Sequence, residues 1–242
     1  MFKITLSLLL SSTLIYGQGF TFRDTAFLGA SSSAPVFSPT DVGGLALYLN
    51  YTDLSAGSVT TWTDRISGRA FTMSGAGRRP SKDSNGVLFN IAGNSALTNF
   101  PQVSYTNCTV WIGFKMSTAN TSFKSLISDN TDSQGMMQGN LSNGSMIWYP
   151  RSSSTMFNAV AGVYYDWVLL KTNGATINTK GFTNGVATAD SAGIATPVNL
   201  SYIGNDFADE AYDGYIKFIA IWTNKFLTAT DAANLHTYSL SH

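Results

Sequence analysis

Tyr212-Asp213-Gly214-Tyr215-Ile216-Lys217-Phe218-Ile219-Ala220-Ile221-Trp222, running into Leu227-Thr228-Ala229-Thr230-Asp231, is the stretch whose reading decides the fold. The first part reads as a last sheet strand. The second opens a short helix, because Thr228 stands three residues before Asp231 in a capping arrangement. That helix is expected to run two or three turns, through Leu235 and Tyr238. A matching bracket lies near the other end of the chain. Gly44-Leu45-Ala46-Leu47-Tyr48-Leu49 reads as a first strand, followed by Val59-Thr60-Thr61-Trp62-Thr63-Asp64 and Ser67-Gly68.

Between the brackets the chain has the rhythm of strands and turns. Apolar or alternating runs fall at Leu45–Leu49, Gly86–Ile91, Thr109–Met116, Ser125–Ser128, Ser145–Tyr149, Trp167–Lys171, Thr176–Phe182, Leu200–Gly204 and Tyr215–Trp222. Ser84-Asn85-Gly86, Asn143-Gly144, Asn173-Gly174 and Asn184-Gly185 separate them. Asn-Gly favours hairpins because both residues accept the positive φ of a type I′ turn. Trp167–Lys171, Asn173-Gly174 and Thr176–Phe182 therefore read as one hairpin. No stretch before residue 228 has helical period. The reading is an all-β, two-sheet antiparallel sandwich with one short C-terminal helix, and 242 residues suit a single domain of this kind.

These residues carry a resemblance. Gly-Leu-x-Leu-Tyr-Leu, the Val-x-x-Trp-x-Asp-x-x-Ser-Gly of Val59–Gly68, Gly86-Val87-Leu88-Phe89, and Asp213-Gly214 leading into Ile-x-x-Ile-x-Ile-Trp together resemble the laminin-G-like branch of the concanavalin A-like fold. The similarity spans roughly Val42 to Ser239. It implies a jelly roll of two antiparallel sheets with first and last strands as neighbours. Such domains occur in secreted lectins, adhesins, glycoside hydrolases and outer proteins of bacteriophages, so the resemblance narrows architecture more than activity.

Composition excludes some partners. Charged residues make up 12% of the chain, 14 basic against 14 acidic. Nucleic-acid binding needs a clustered basic surface to neutralise phosphates, and Arg78-Arg79 is the only adjacent basic pair. Cys108 stands alone in an apolar run, which rules out an intrachain disulfide and reads as a small buried hydrophobe. With His236 and His242 the only histidines, zinc lacks a ligand set.

The N-terminus has two readings. Met1-Phe2-Lys3, the apolar run to Tyr16 and Gly17-Gln18-Gly19 fit a cleaved signal peptide. The alternation of Ile4, Leu6, Leu8 and Leu10 with polar residues fits a retained strand-like arm, and this is the reading preferred. The segment is too short and too rich in Ser and Thr to span a membrane. The expected organisation is an arm and Ser/Pro linker over residues 1–40, then a jelly roll over 41–242.

Retaining glycoside hydrolysis on this fold needs two carboxylates about 5–5.5 Å apart. Glu210 is the only glutamate, and no second carboxylate stands two or four residues from it along an alternating strand, because Asp206 and Asp213 flank it in what reads as a loop. The chain is therefore expected not to be an enzyme. Calcium needs clustered oxygen ligands. Asp206, Asp209, Glu210 and Asp213, with Asp129 and Asp132, have the right chemistry but not the spacing of a calcium loop, so no cofactor is predicted. Sugar binding uses aromatic faces beside polar groups. Trp148-Tyr149-Pro150-Arg151, with Asn140 and Asn143 nearby, supplies the candidate ligand site, Trp148, Tyr149 and Arg151. Tyr164-Tyr165-Asp166-Trp167 is a second such run. The alternative is that Trp148, Trp167 and Trp222 are core. Two functions follow. One is a structural protein of a virion, a phage head decoration, fibre or tail-associated subunit, held to other subunits or to copies of itself by the arm. The other is a secreted lectin-like module that binds a cell-surface glycan.

Overall fold

The computed structural model describes residues 37–73, 75, 79–117, 124–130, 135–138, 145–149, 156–171, 178–188, 191–192, 197–205 and 211–242, with the backbone alone at 135–138, 148–149, 178–179 and 191–192. The expected N-terminal arm lies outside these residues.

In chain order the strands are β1 (Leu45–Asn50), β2 (Gly57–Ser58), β3 (Thr61–Thr63), β4 (Ala70–Met73), β5 (Ser81–Asp83), β6 (Gly86–Phe89), β7 (Leu97–Tyr105), β8 (Cys108–Met116) and β9 (Lys124–Ser128). They continue as β10 (Gly135–Gln138), β11 (Ser145–Tyr149), β12 (Phe157–Asn158), β13 (Tyr164–Lys171), β14 (Asn178–Thr183), β15 (Val186–Ala187), β16 (Ser191–Ala192), β17 (Val198–Ile203) and β18 (Gly214–Thr223). The one α-helix among the described residues, α1 (Ala229–Leu240), follows. The larger sheet runs β15-β14-β13-β8-β18-β6-β5-β2, with β1 on β18 and β16 on β14. The smaller runs β12-β11-β10-β9-β17-β7-β4-β3. This is an all-β sandwich of two antiparallel sheets closed by one C-terminal helix.

The two brackets meet. Leu45 pairs with Trp222 and Asn50 with Phe218, so first and last strands are neighbours. β18 changes partner along its length. Gly214–Ile216 pair with β6, while Phe218 onward pairs with β1. β8 flanks both halves, with a register shift between Ile216 and Phe218 that leaves Lys217 as the extra residue of a bulge.

The motif at Val59–Gly68 owes its spacing to one carboxylate. Buried Asp64 accepts from the amides of Tyr48 (2.7 Å), Ile66 (3.0 Å) and Ser67 (2.9 Å), tying the loop after β3 to β1. Trp62, two residues earlier, is fully buried and donates to the Asn50 carbonyl at 3.2 Å. At the hairpin between β14 and β15, Asn184 (φ 51°) and Gly185 (φ 76°) both take positive φ, as their sequence predicts. A side chain at Gly185 would also press on the Ala233 backbone of α1 at 3.0 Å. The helix begins as expected: the Asp231 amide donates to Thr228 Oγ1 (3.2 Å) and the Thr228 amide to Asp231 Oδ2 (2.8 Å).

Alternation sorts β8, β13 and β18 into two faces. Ile112 and Phe114 pair with Trp167 and Tyr165 and point toward the smaller sheet. There Phe157 of β12 meets the Trp167 ring at 5.5 Å and the Phe114 ring at 6.5 Å. Trp167 and Trp222 are fully buried, so the core reading of both holds. Trp111, Gly113 and Lys115, with Val168, Asp166 and Tyr164 opposite them, form the outer face. Several short strands and the nine-residue β7 do not stand out in the sequence. Pro101 interrupts β7 and its burial does not alternate, which hides it from a period-two reading.

Candidate functional site

Two ends of the outer face are built differently from the same three strands. At one end, α1 lies over the sheet. Buried Asp166 accepts from Trp111 Nε1 at 3.2 Å through Oδ1, while Oδ2 meets His236 Nδ1 at 2.8 Å and accepts from Ser239 Oγ. Beside it, Tyr48 and Tyr238 share a hydroxyl–hydroxyl hydrogen bond of 2.9 Å, and Asn50 Nδ2 donates to Tyr48 at 2.9 Å. Trp111 stacks on Phe218 with ring centres 5.1 Å apart. The Asp166 carboxylate raises the His236 pKa above its ordinary value. Ser239 donates to that same carboxylate rather than to the imidazole, so the trio fastens a helix and does not form a nucleophile–base relay.

The other end is open. Register places Tyr164, Lys115 and Tyr215 in one transverse row, with Leu88 of β6 next. All four are half-buried. Lys115 Nζ stands 4.7 Å from the Tyr215 ring centre and donates to Asn85 Oδ1 at 3.3 Å. Lys217, on the same face of β18 as Tyr215, reaches over the row, its Nζ 4.6 Å from the Tyr164 ring and 5.5 Å from that of Tyr51. Lys82 Nζ lies 5.6 Å from the same Tyr51 ring. The hydroxyls of two tyrosines bond to the protein: Tyr215 donates to Asp83 Oδ2 (3.1 Å) and Tyr164 to the Asn85 carbonyl (3.3 Å). Burial lowers the Lys217 pKa and raises those of Tyr164 and Tyr215. The result is three tyrosine rings held in place by hydrogen bonds and overlaid by three ammonium groups.

Of the candidates taken from the sequence, Tyr164 lies in this row and the first aromatic run falls elsewhere. Trp148 and Tyr149 end β11 in the smaller sheet, in register with Met136 and Gly135. Their side chains, Arg151, Asn140 and Asn143 lie outside the described residues. The second aromatic run divides as alternation requires. Tyr165 and Trp167 enter the core, while Tyr164 and Asp166 face outward. Of the oxygen ligands considered for calcium, Asp132, Asp206, Asp209 and Glu210 lie outside the described residues. Among the described residues no three His, Cys, Asp or Glu gather to hold a metal ion. Cys108 is fully buried, and burial pushes its thiol up to about 12, which keeps it protonated. Among the described residues no helix is long and apolar enough to cross a membrane. The tyrosine–lysine row escapes sequence reading because its members come from three distant segments. The available signal was a lone lysine in each of two otherwise apolar runs, Lys115 in β8 and Lys217 in β18.

No family model and no curated sequence matches the chain. Solved structures do. A Trypanosoma rangeli sialidase superposes with TM-score 0.61 at 13% identity, covering 82% of this chain and 33% of the sialidase. Domain 4 of AbnA, a GH43 extracellular arabinanase from Geobacillus stearothermophilus solved with arabinotriose, superposes with TM-score 0.60 at 16% identity, covering 79% of this chain and 98% of that domain. The receptor binding domain of botulinum neurotoxin type G gives TM-score 0.52 at 14% identity, covering 81% of this chain and 51% of that one. The chain thus spans about a third of the length of the sialidases it matches.

These matches correct one expectation. The exclusion of enzyme function does not stand, because chains sharing this fold are a sialidase and part of an arabinanase. A single glutamate bears only on the paired-carboxylate route, and glycosidases with a tyrosine nucleophile do not use that pair. At such identities the likeness establishes a fold, a β-sandwich that recurs within carbohydrate-active enzymes and a toxin.

Proposed function

We propose that this chain forms a concanavalin A-like carbohydrate-binding domain whose contact surface is the open end of the larger sheet's outer face. The row Tyr164–Lys115–Tyr215 carries the reading. Sugar recognition asks for aromatic surface against C–H groups and fixed polar groups for hydroxyls. Here the tyrosines are anchored by their hydroxyls while Lys115, Lys217 and Asn85 surround them. The arabinanase domain, matched over nearly its whole length, adds support because it was solved with arabinotriose. Outward display on a virion and secretion are both settings in which such a face meets a glycan.

A glycan array probed with the full chain, followed by calorimetric titration of the hits, tests the proposal. Saturable binding that Tyr215→Ala weakens, without a change in melting temperature, is the expected result. No saturable binding anywhere on the array would sink it.

A further inference from the structure

We infer that the ligand of this face is an acidic saccharide, one whose carboxylate seats among Lys82, Lys115 and Lys217. The inference rests on the carbohydrate-binding reading and names the class of sugar.

Charge placement is the first argument. The chain carries no net charge, yet three ammonium groups converge on three tyrosine rings at one end of one sheet. None of the three makes an ion pair among the described residues. The one acidic side chain bonded within the cluster, Asp83, accepts from Tyr215. A surface that only needed solubility would intersperse carboxylates among such lysines. Elsewhere the chain does so: Arg65, over the Tyr48 ring at 5.2 Å, is paired with Asp53 at 2.6 Å.

Free donors are the second argument. An ammonium group has three N–H donors, and an aromatic face engages its charge without accepting a conventional hydrogen bond. Lys115 uses one donor on Asn85. Lys82 and Lys217 make no hydrogen bond among the described residues. These donors stand beside rings that cannot swing away, since Tyr51, Tyr164 and Tyr215 each donate a hydroxyl hydrogen bond to the protein. Ordered cations with unused donors are what a carboxylate needs for charge-assisted hydrogen bonds.

Shape is the third. The row crosses β13, β8 and β18, and two strand spacings give a platform of about 10 Å. That length suits an extended oligosaccharide more than a lone ion. Lys115 stands over the Tyr215 ring and Lys217 over the Tyr164 ring, so charge lies along the platform and not at one point.

Titration of the full chain with 3′-sialyllactose and oligogalacturonate, against lactose and carboxyl-reduced oligogalacturonate, tests the inference. At least one acidic sugar is expected to bind about tenfold or more tightly than its neutral counterpart. Its affinity should fall as salt rises. Lys115→Gln and Lys217→Gln should each erase most of the preference, and Lys217→Arg should restore part of it. Equal binding of neutral and acidic partners would overturn the inference while leaving the carbohydrate-binding reading intact. Silence toward every sugar on the array as well would remove both. Equal binding of a single-stranded oligothymidine would also overturn it, by marking the face as a general polyanion surface.

Discussion

The sealed and open ends of the outer face are adjacent lengths of β8, β13 and β18, yet they treat polar groups in opposite ways. Where α1 meets the sheet, Asp166 bonds His236, Ser239 and Trp111, and Tyr48 and Tyr238 bond each other. Four residues along β8, Lys115 leaves donors unused, as does Lys217 beside it. Burial explains the difference. A polar group removed from water must be satisfied by protein, whereas one that meets solvent can be kept for a ligand. Rigidity is common to both ends; saturation is not.

The largest way to break that contrast is to hollow the sealed end. Trp111→Ala should cost about 3–5 kcal/mol in urea denaturation, because a fully buried ring stacked on Phe218 is lost. Next comes Asp166→Ala, which strands Trp111 Nε1 and Ser239 and should cost about 1–3 kcal/mol. A neutral outcome for both would mean that α1 is not the lid described. At the open end, Lys115→Gln combined with Lys217→Gln should alter stability by no more than about 0.5 kcal/mol. The same pair should weaken acidic-sugar binding. A large stability loss there would show that the lysines are structural.

The smallest effect is on pH dependence. Asp166 raises the folded-state pKa of His236 above its unfolded value near 6.5. The protonated form is therefore favoured by folding, and its contribution is fully present below about pH 6.5. It is lost as pH climbs through the raised folded value. Thermal melts across that window should show a decline that His236→Gln flattens. An unchanged slope in the variant would mean that another group sets it.

Much of the sandwich was legible because its signals are local. Gly44–Leu49 and Tyr212–Trp222 hold strands where their apolar density suggested them, while their pairing was what the resemblance implied, and Asn184-Gly185 takes the φ values its residues allow. Thr228 and Asp231 form the capping box from four residues of sequence. The site was less legible because it is made by register. Tyr164 and Lys115 are opposite only once β13 lies on β8, and Lys217 reaches Tyr164 only once β18 lies on the other side of β8. Adjacent aromatics such as Trp148-Tyr149 and Tyr164-Tyr165 attract notice in a sequence, while the isolated Tyr215 and the lysines that join Tyr164 do not. Compositional reasoning about glutamate likewise addressed a single catalytic route, and the shared fold of a sialidase and an arabinanase reopened the others.

The double partnership of β18 has a temporal consequence. β1 is made long before the strand that satisfies its hydrogen bonds, since every other strand of the sandwich lies between the two in the chain. The same late strand also completes β6 and one side of β8. Three edges therefore wait for one segment, and closing so long a loop makes folding slow and exposes strand edges to aggregation meanwhile. On a ribosome the larger sheet would assemble around its last strand in a single late step, and a chain stalled before residue 214 would present those edges to the cell's chaperones.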